Sequence, residues 1–138
     1  MKIAPVDSSR REFLREYIDH PKVESQWPLA ADTIKTLKTL YLFRDEATVT
    51  SFLEKHSFLT PLLFEAHEKI EEYFGPSNII LDVSVDPDDP EYVMLWARVQ
   101  TTLEATDAVH RLTRFDEEWW LDTPISALEL MNVNLEFV

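Results

Sequence analysis

The sequence predicts an α+β domain in which several helices precede a β-β-α-β unit, and three observations lead to this prediction. Apolar residues recur with helical spacing up to Gly75. From Ile79 onward the pattern becomes an alternation of period two, which indicates half-buried strands. Between the second and third alternating segments, Thr101 and Glu104 match the first and last positions of a capping box, which predicts one more helix.

Proline and glycine set the limits of the predicted helices. The apolar spacing predicts helices over about residues 7–19, 34–41, 49–53 and 60–74. Pro21 ends the first of these and opens a loop at residues 20–30. Pro61 suits the first turn of the last one, where a missing N–H costs nothing. Gly75 followed by Pro76 is a typical helix stop.

The alternating segments predict three strands, at about residues 79–85, 92–100 and 133–137. A turn cluster at residues 86–90 joins the first two strands as an antiparallel hairpin. A helix that runs to about Trp119 then crosses back over the sheet. We expect the third strand to lie beside the first. This gives a small antiparallel sheet of order 2-1-3 with the helices packed on it.

Length predicts one globular domain, residues 1–138, and charge divides this domain into two parts. Residues 1–44 hold 8 Lys or Arg against 6 Asp or Glu, whereas residues 45–138 hold 5 against 20. We therefore distinguish a helical arm, residues 1–44, from an acidic α+β body, residues 45–138. The arm carries Arg10, Arg11 and Arg15, which we expect to dock against an acidic surface of the same chain or of a second copy.

The formal net charge of −13 restricts the classes of partner. An acidic body repels nucleic-acid phosphates and anionic lipids, so the sequence predicts a protein partner or a homodimer, with no nucleic acid and no membrane. No apolar run approaches the ~18 residues of a membrane span, and the first residues lack the apolar segment of a signal peptide. A cytoplasmic location is the resulting expectation.

Two scarce residue types exclude several familiar kinds of site. The chain has no cysteine, which excludes disulfides, thiolate metal sites and cysteine nucleophiles. Its one glycine, Gly75, is too few for phosphate-binding loops, dinucleotide fingerprints or nucleophile elbows in their usual form. The sequence therefore assigns no catalytic, cofactor-binding or metal-ligating residue, and no cofactor is expected.

The second strand carries apolar side chains on both of its faces. One row points into the predicted core, and the other consists of Tyr92, Met94 and Trp96. The first and last strands are polar on that second face, and the second strand is an edge in the expected order, so an apolar row there needs a cover. The protein's own N-terminal helices are one candidate cover, and self-association or a partner protein is the other. We take Tyr92, Met94 and Trp96 as candidate partner-binding residues.

Trp119 and Trp120 end the last predicted helix, one turn after Phe115. Neighbouring helical positions point about 100° apart, so both tryptophans cannot face one core layer from within a helix. The first interpretation is that both close the core where the helix meets the last strand. The alternative keeps Trp120 partly exposed, because tryptophan is frequent among interface hot spots. On that alternative, Trp119 and Trp120 join the candidate partner-binding residues.

Histidines and clustered acids offer alternatives to a binding module. The acids at 86, 88 and 89 lack the glycine and the twelfth-position glutamate of a calcium loop, so they indicate turn chemistry. His67 and His110 each have a carboxylate one helical turn away. A small metal-dependent enzyme that uses His67, His110 and nearby carboxylates is therefore one alternative. An antitoxin-like regulatory binder is another.

Several segments resemble a family of short, uncharacterised bacterial proteins. These segments are FDEEWWL at residues 115–121, EAHEKI at residues 65–70 before the glycine-proline stop, and the Asp-Pro turn at residues 86–87. The resemblance covers roughly residues 45–138 and does not extend to the arm. It implies one compact α+β domain and no particular activity. Taken together, these observations favour a non-enzymatic, acidic protein-interaction module that associates with itself or with another protein.

Overall fold

The structure is a computed structural model and describes residues 31–138, which form five helices and one four-stranded sheet. The helices are α1 (Ala31–Leu40), α2 (Glu46–Lys55), α3 (Thr60–Phe74), α4 (Ala105–Glu118) and α5 (Ile125–Leu128). The strands are β1 (Leu42–Phe43), β2 (Ile79–Asp86), β3 (Asp89–Thr101) and β4 (Met131–Phe137). The α+β prediction is confirmed. The predicted helix at residues 7–19, the loop at 20–30 and the docking of Arg10, Arg11 and Arg15 lie outside the described residues.

Local signals explain how α2 and α3 are bounded. Asp45 adopts a left-handed backbone (φ 60°) before α2, and its carboxylate accepts a hydrogen bond from the Thr48 hydroxyl at 2.8 Å. Gly75 has φ 76° at the end of α3, a conformation that carries no steric cost for glycine. α3 has 15 residues. Among residues 31–138, no helix is long and apolar enough to cross a membrane.

Helix α4 begins later than the predicted capping box placed it. Thr101 does not cap the helix, because it is the last residue of β3 and pairs with Phe137. Glu104 is the N-cap instead, and its carboxylate accepts a hydrogen bond from the backbone N–H of Asp107 at 3.4 Å. The N-cap of the helix therefore lies three residues after the predicted position, because pairing with β4 extends β3 through Thr101.

The strand order of the sheet is β1-β2-β3-β4, so the predicted order 2-1-3 with all strands antiparallel is wrong. β2 and β3 form the predicted antiparallel hairpin, but β1 pairs in parallel with β2, and β4 pairs in parallel with β3. The short strand β1, which the sequence pattern did not reveal, occupies the outer edge of β2 through the pair Leu42–Ile80. The crossover through α4 therefore brings β4 to the other edge of the hairpin.

Alternation along the strands gives the sheet two faces of different composition. The inner face is apolar and carries Ile79, Leu81 and Val83 of β2, Leu95, Ala97 and Val99 of β3, and Met131 and Val133 of β4. We call the opposite side the outer face; it carries Ile80, Asp82, Ser84, Tyr92, Met94, Trp96, Arg98, Gln100, Asn132, Asn134 and Glu136.

One core cluster joins the inner face to the helices. Its helical members come from all five helices and include Leu37, Val49, Leu53, Leu63, Ala66, Ile70, Phe115 and Ala127, all fully buried. Burial of this apolar surface supplies the main favourable free energy of folding, at roughly 25 cal/mol per Å² removed from water. This core cluster lies between the helices and the inner face. Among the outer-face residues, only Ile80 is buried.

Trp119 and Trp120 are both buried in this core, with 2% and 1% of their surface exposed. Both rings lie beside Phe115, with centroids at 5.6 and 6.4 Å. Helical angles do not constrain this pair, because α4 ends at Glu118 and Trp119 has left the helical conformation (φ −144°). A 3₁₀ turn, Trp120–Asp122, follows. The interpretation that both tryptophans close the core is confirmed, and the alternative of a partly exposed Trp120 is wrong.

Candidate protein-interaction surface

The predicted row Tyr92, Met94 and Trp96 lies on the outer face, on the opposite side of the sheet from the core. None of the three belongs to the core cluster or packs against it. Tyr92 is 46% exposed, and Met94 and Trp96 are partly exposed. β3 is an inner strand rather than the expected edge strand, so β2 and β4 flank the row on both sides. Partner binding by these residues stays a prediction.

Trp96 is held in place by neighbours on both sides of its ring system. By register it lies between Asp82 of β2 and Asn132 of β4. Its indole N–H donates a hydrogen bond to the Ser84 hydroxyl at 2.8 Å, and the Arg98 guanidinium lies 5.2 Å from the ring centroid, within cation–π range. An aromatic side chain that is already fixed loses little rotational freedom on binding, which favours its use as an anchor.

Next to the aromatic row, the outer face carries a charged network, whose contacts the sequence pattern did not predict. Arg98 lies 3.0 Å from the Asp82 carboxylate, and Arg44 lies 3.4 Å from the same carboxylate. Arg44 also reaches Glu136 of β4 at 3.2 Å. The register of the hairpin would have placed Arg98 near Asp82. Alternation along the last strand likewise predicted Glu136 for this face. Nothing in the sequence pattern, however, placed Arg44 there.

The charges in this network balance, since two arginines meet two carboxylates. In a chain with a formal net charge of −13, this part of the outer face is therefore locally neutral. Exposed ion pairs contribute only about 0–1 kcal/mol each to stability. Their larger effect is on the surface around Trp96, because paired charges leave that end of the row without a strong electrostatic field. The arrangement is suited to contact with a protein surface.

The acidic turn behind the row consists of Asp86, Asp88, Asp89 and Glu91. Asp86 accepts a hydrogen bond from the backbone N–H of Asp88 at 2.9 Å, and Asp89 accepts one from that of Glu91 at 3.2 Å. These are local turn contacts of the kind that aspartate makes with a backbone two residues ahead. The turn places a concentration of negative charge at one end of the outer face.

The two histidines of the metal hypothesis line separate clefts. His67 borders a cleft of about 510 Å³ and lies 4.0 Å from Glu71, whereas His110 borders one of about 450 Å³ together with Arg111 and Arg114. In the described part of the chain, no three His, Asp or Glu side chains converge in a metal-binding arrangement. A shared site built on His67 and His110 is therefore not formed.

Tyr73 is the most perturbed group in the His110 cleft. Its hydroxyl donates a hydrogen bond to the Glu118 carboxylate at 2.6 Å, and Arg111 donates to the Tyr73 carbonyl oxygen at 3.0 Å. Burial, followed by the hydrogen bond and negative charge of Glu118, raises the pKa of Tyr73 to about 12. The phenol therefore stays protonated at neutral pH. Each arginine here also has its own carboxylate partner, Asp107 or Glu118.

Trp119 and Trp120, the remaining candidate partner-binding residues, have almost no exposed surface, so neither contributes to the candidate surface. We compared the chain with protein-family models, with curated proteins and with solved structures, and none of the three comparisons gave a match. The resemblance to short bacterial proteins gains no support from these comparisons, and the candidate surface rests on the geometry of this chain.

Proposed function

We propose that this protein is a protein-interaction module that associates with a second copy of itself through the outer face of its sheet. The observation that carries the proposal is the row Tyr92, Met94 and Trp96, which is separate from the core cluster and adjoins the locally neutral network at its Trp96 end. Aromatic residues and methionine are enriched in protein interfaces, whereas aspartate, glutamate and lysine are depleted.

A second copy fits this face better than a strongly charged partner does. The charges of the network are already paired within the chain, as the contacts of Arg44, Asp82, Arg98 and Glu136 show. The network therefore does not select a partner of net positive or net negative charge. A second copy presents the same neutral, aromatic surface, and a two-fold axis makes such a contact self-complementary. The acidic turn at residues 86–91 favours the arrangement in which the two turns lie at opposite ends of the interface.

The test is the molar mass in solution, measured by light scattering or sedimentation equilibrium over a range of protein and salt concentrations. We expect a concentration-dependent dimer. Because each chain carries a net charge of −13, added salt screens the repulsion between copies and strengthens this dimer. Docking through Arg10, Arg11 and Arg15 has the opposite salt dependence, since salt weakens contacts between opposite charges. The two modes of association are therefore distinguishable.

The decisive variant is Tyr92→Ser with Met94→Ser, which removes two of the three side chains of the row while Trp96 keeps its contacts to Ser84 and Arg98. We expect association to weaken by roughly tenfold or more, because truncated hot-spot residues cost about 2 kcal/mol or more. The matched control is Leu121→Ser with Ile125→Ser, two side chains that are 59% and 69% exposed and lie off the sheet. A wild-type protein that stays monomeric at high concentration, or a control that dissociates equally, contradicts the proposal.

A further inference from the structure

Strand β4 forms one edge of the described sheet, and its sequence lacks the usual protection of an edge strand. It is seven residues long, alternates Val133, Leu135 and Phe137 with polar residues, and contains neither lysine nor proline. Its one charged residue, Glu136, is paired with Arg44. Edge strands with these properties pair readily with strands of other chains. The opposite edge is formed in part by β1, which has only two residues and offers little to pair with.

Two hydrogen bonds show which backbone groups of β4 face β3. The Leu130 carbonyl accepts from the Leu95 N–H at 2.8 Å, and the Val138 N–H donates to the Thr101 carbonyl at 3.1 Å. Even-numbered positions of this segment therefore direct their backbone groups toward β3. Because these directions alternate along a strand, the N–H groups of Val133 and Leu135 point to the open edge.

Both of these edge N–H groups already have an acceptor within the chain. Val133 donates its N–H to the side-chain oxygen of Asn132, and Leu135 donates its N–H to that of Asn134, each at 2.8 Å. The two asparagines are spaced with the period of the strand, and each caps the residue that follows it. The same hydrogen bond, from a backbone N–H to the side chain of the preceding asparagine, thus occurs twice. It occurs at the two positions where an incoming strand would accept hydrogen bonds.

We propose that Asn132 and Asn134 close the free edge of β4 against strand addition by another chain, including a second copy of this protein. An added strand must break both local hydrogen bonds before it gains its own from Val133 and Leu135. A neutral amide suits this role, because its oxygen accepts from the edge while its NH₂ group leaves the outer face polar. The inference concerns the edge of the sheet and does not rest on the proposed contact through the outer face.

The first test is amide hydrogen exchange, measured by NMR on the full chain. In the variant Asn134→Ala we expect the Leu135 amide proton to exchange roughly two- to tenfold faster, the factor that one net hydrogen bond provides. Asn134 is exposed, so this single substitution leaves the fold intact. Asn78→Ala, at an exposed asparagine outside the edge, is the matched control. An unchanged exchange rate at Leu135 overturns the inference.

The second test is the molar mass of Asn132→Ala with Asn134→Ala, made in the Tyr92→Ser, Met94→Ser background to remove association through the outer face. We expect larger, β-rich assemblies that grow with protein concentration. Adding Leu135→Pro removes an edge N–H that does not pair with β3, and proline is tolerated at such positions. We expect this addition to restore the mass of the background. A double variant that keeps the background mass, or assemblies that survive the proline, overturns the inference.

Discussion

The two faces of the sheet are built from the same strands, yet they follow different rules. The inner face meets helices and is apolar at almost every position, so burial alone organises it. The outer face is organised by specific hydrogen bonds and ion pairs. These are Trp96 with Ser84, Arg98 with Asp82, and Arg44 with Asp82 and Glu136. The comparison teaches that alternation specifies which residues share a face, whereas the contacts on the outer face depend on register and on neighbours distant in sequence.

The largest expected effect tests whether buried side chains of the core contribute more to the free energy of unfolding than side chains of the outer face. Trp119→Ala removes a buried ring that packs on Phe115 and Trp120, and we expect it to lower the free energy of unfolding by about 3–5 kcal/mol. Trp96→Ala, the same change on the outer face, is expected to cost only about 1–2 kcal/mol. Urea denaturation measures both values. Equal losses from the two substitutions would remove the distinction between the faces.

The second prediction concerns the charged network of the outer face. Asp82→Asn removes the carboxylate shared by Arg44 and Arg98, and we expect a loss of about 1 kcal/mol at low ionic strength. The loss shrinks as salt is added, because partly exposed charges are screened. Asp88→Asn, at an exposed acid of the turn, is the control and is expected to change stability little. The prediction fails if the two variants unfold alike at every salt concentration.

The third prediction uses a charged group on the helical side. The Asp116 oxygen Oδ1 is buried and has no hydrogen-bond partner among the described residues. Burial, and then the charge of Glu117, raises the pKa of the Asp116 carboxyl. We expect Asp116→Asn to stabilise the protein by about 0.5–1 kcal/mol at neutral pH.

The pH dependence of this effect follows from the sign of the pKa shift. Because the pKa is higher in the folded state, wild-type stability from this group is complete below the unfolded-state pKa and is lost as pH rises through the folded-state pKa. The advantage of Asp116→Asn over the wild type therefore disappears in acid. Glu129→Gln, at an exposed position, is the control. A variant that destabilises at neutral pH contradicts the prediction.

A similarly small effect at neutral pH, of opposite sign, is expected at Tyr73. Tyr73→Phe removes the hydrogen bond to Glu118, at a cost of about 0.5–1 kcal/mol. Because the folded-state pKa is raised to about 12, the wild type loses stability between the ordinary tyrosine pKa and that value, as the unfolded chain ionises first. Melting curves from neutral pH upward measure this loss. Tyr73→Phe should lose less stability over this pH range than the wild type. If the stabilities of the two proteins fall in parallel with pH, the pKa of Tyr73 is not raised in the folded state.

The extent of prediction from sequence differed between elements for physical reasons. Gly75 and Pro61 bounded α3 because backbone conformation at these residues is a local property. β1 was missed because two residues carry no periodicity, and the strand forms only by pairing with β2. The outer row Tyr92, Met94 and Trp96 followed from alternation. The ion pairs of Arg44 did not, because Arg44 lies outside the predicted strands and reaches two of them only in the folded chain.

The amino-acid sequence by itself determined the α+β class, the hairpin of β2 and β3, the acidic balance and the separation of an apolar row from the core. These follow from periodicity, turn residues and charge, which act over a few residues. Only the tertiary structure decided the strand order, the burial of both Trp119 and Trp120, and the capping of the β4 edge by its asparagines. Each of these depends on which segments compete for the same edge or the same buried volume, and that competition is settled only when the whole chain packs.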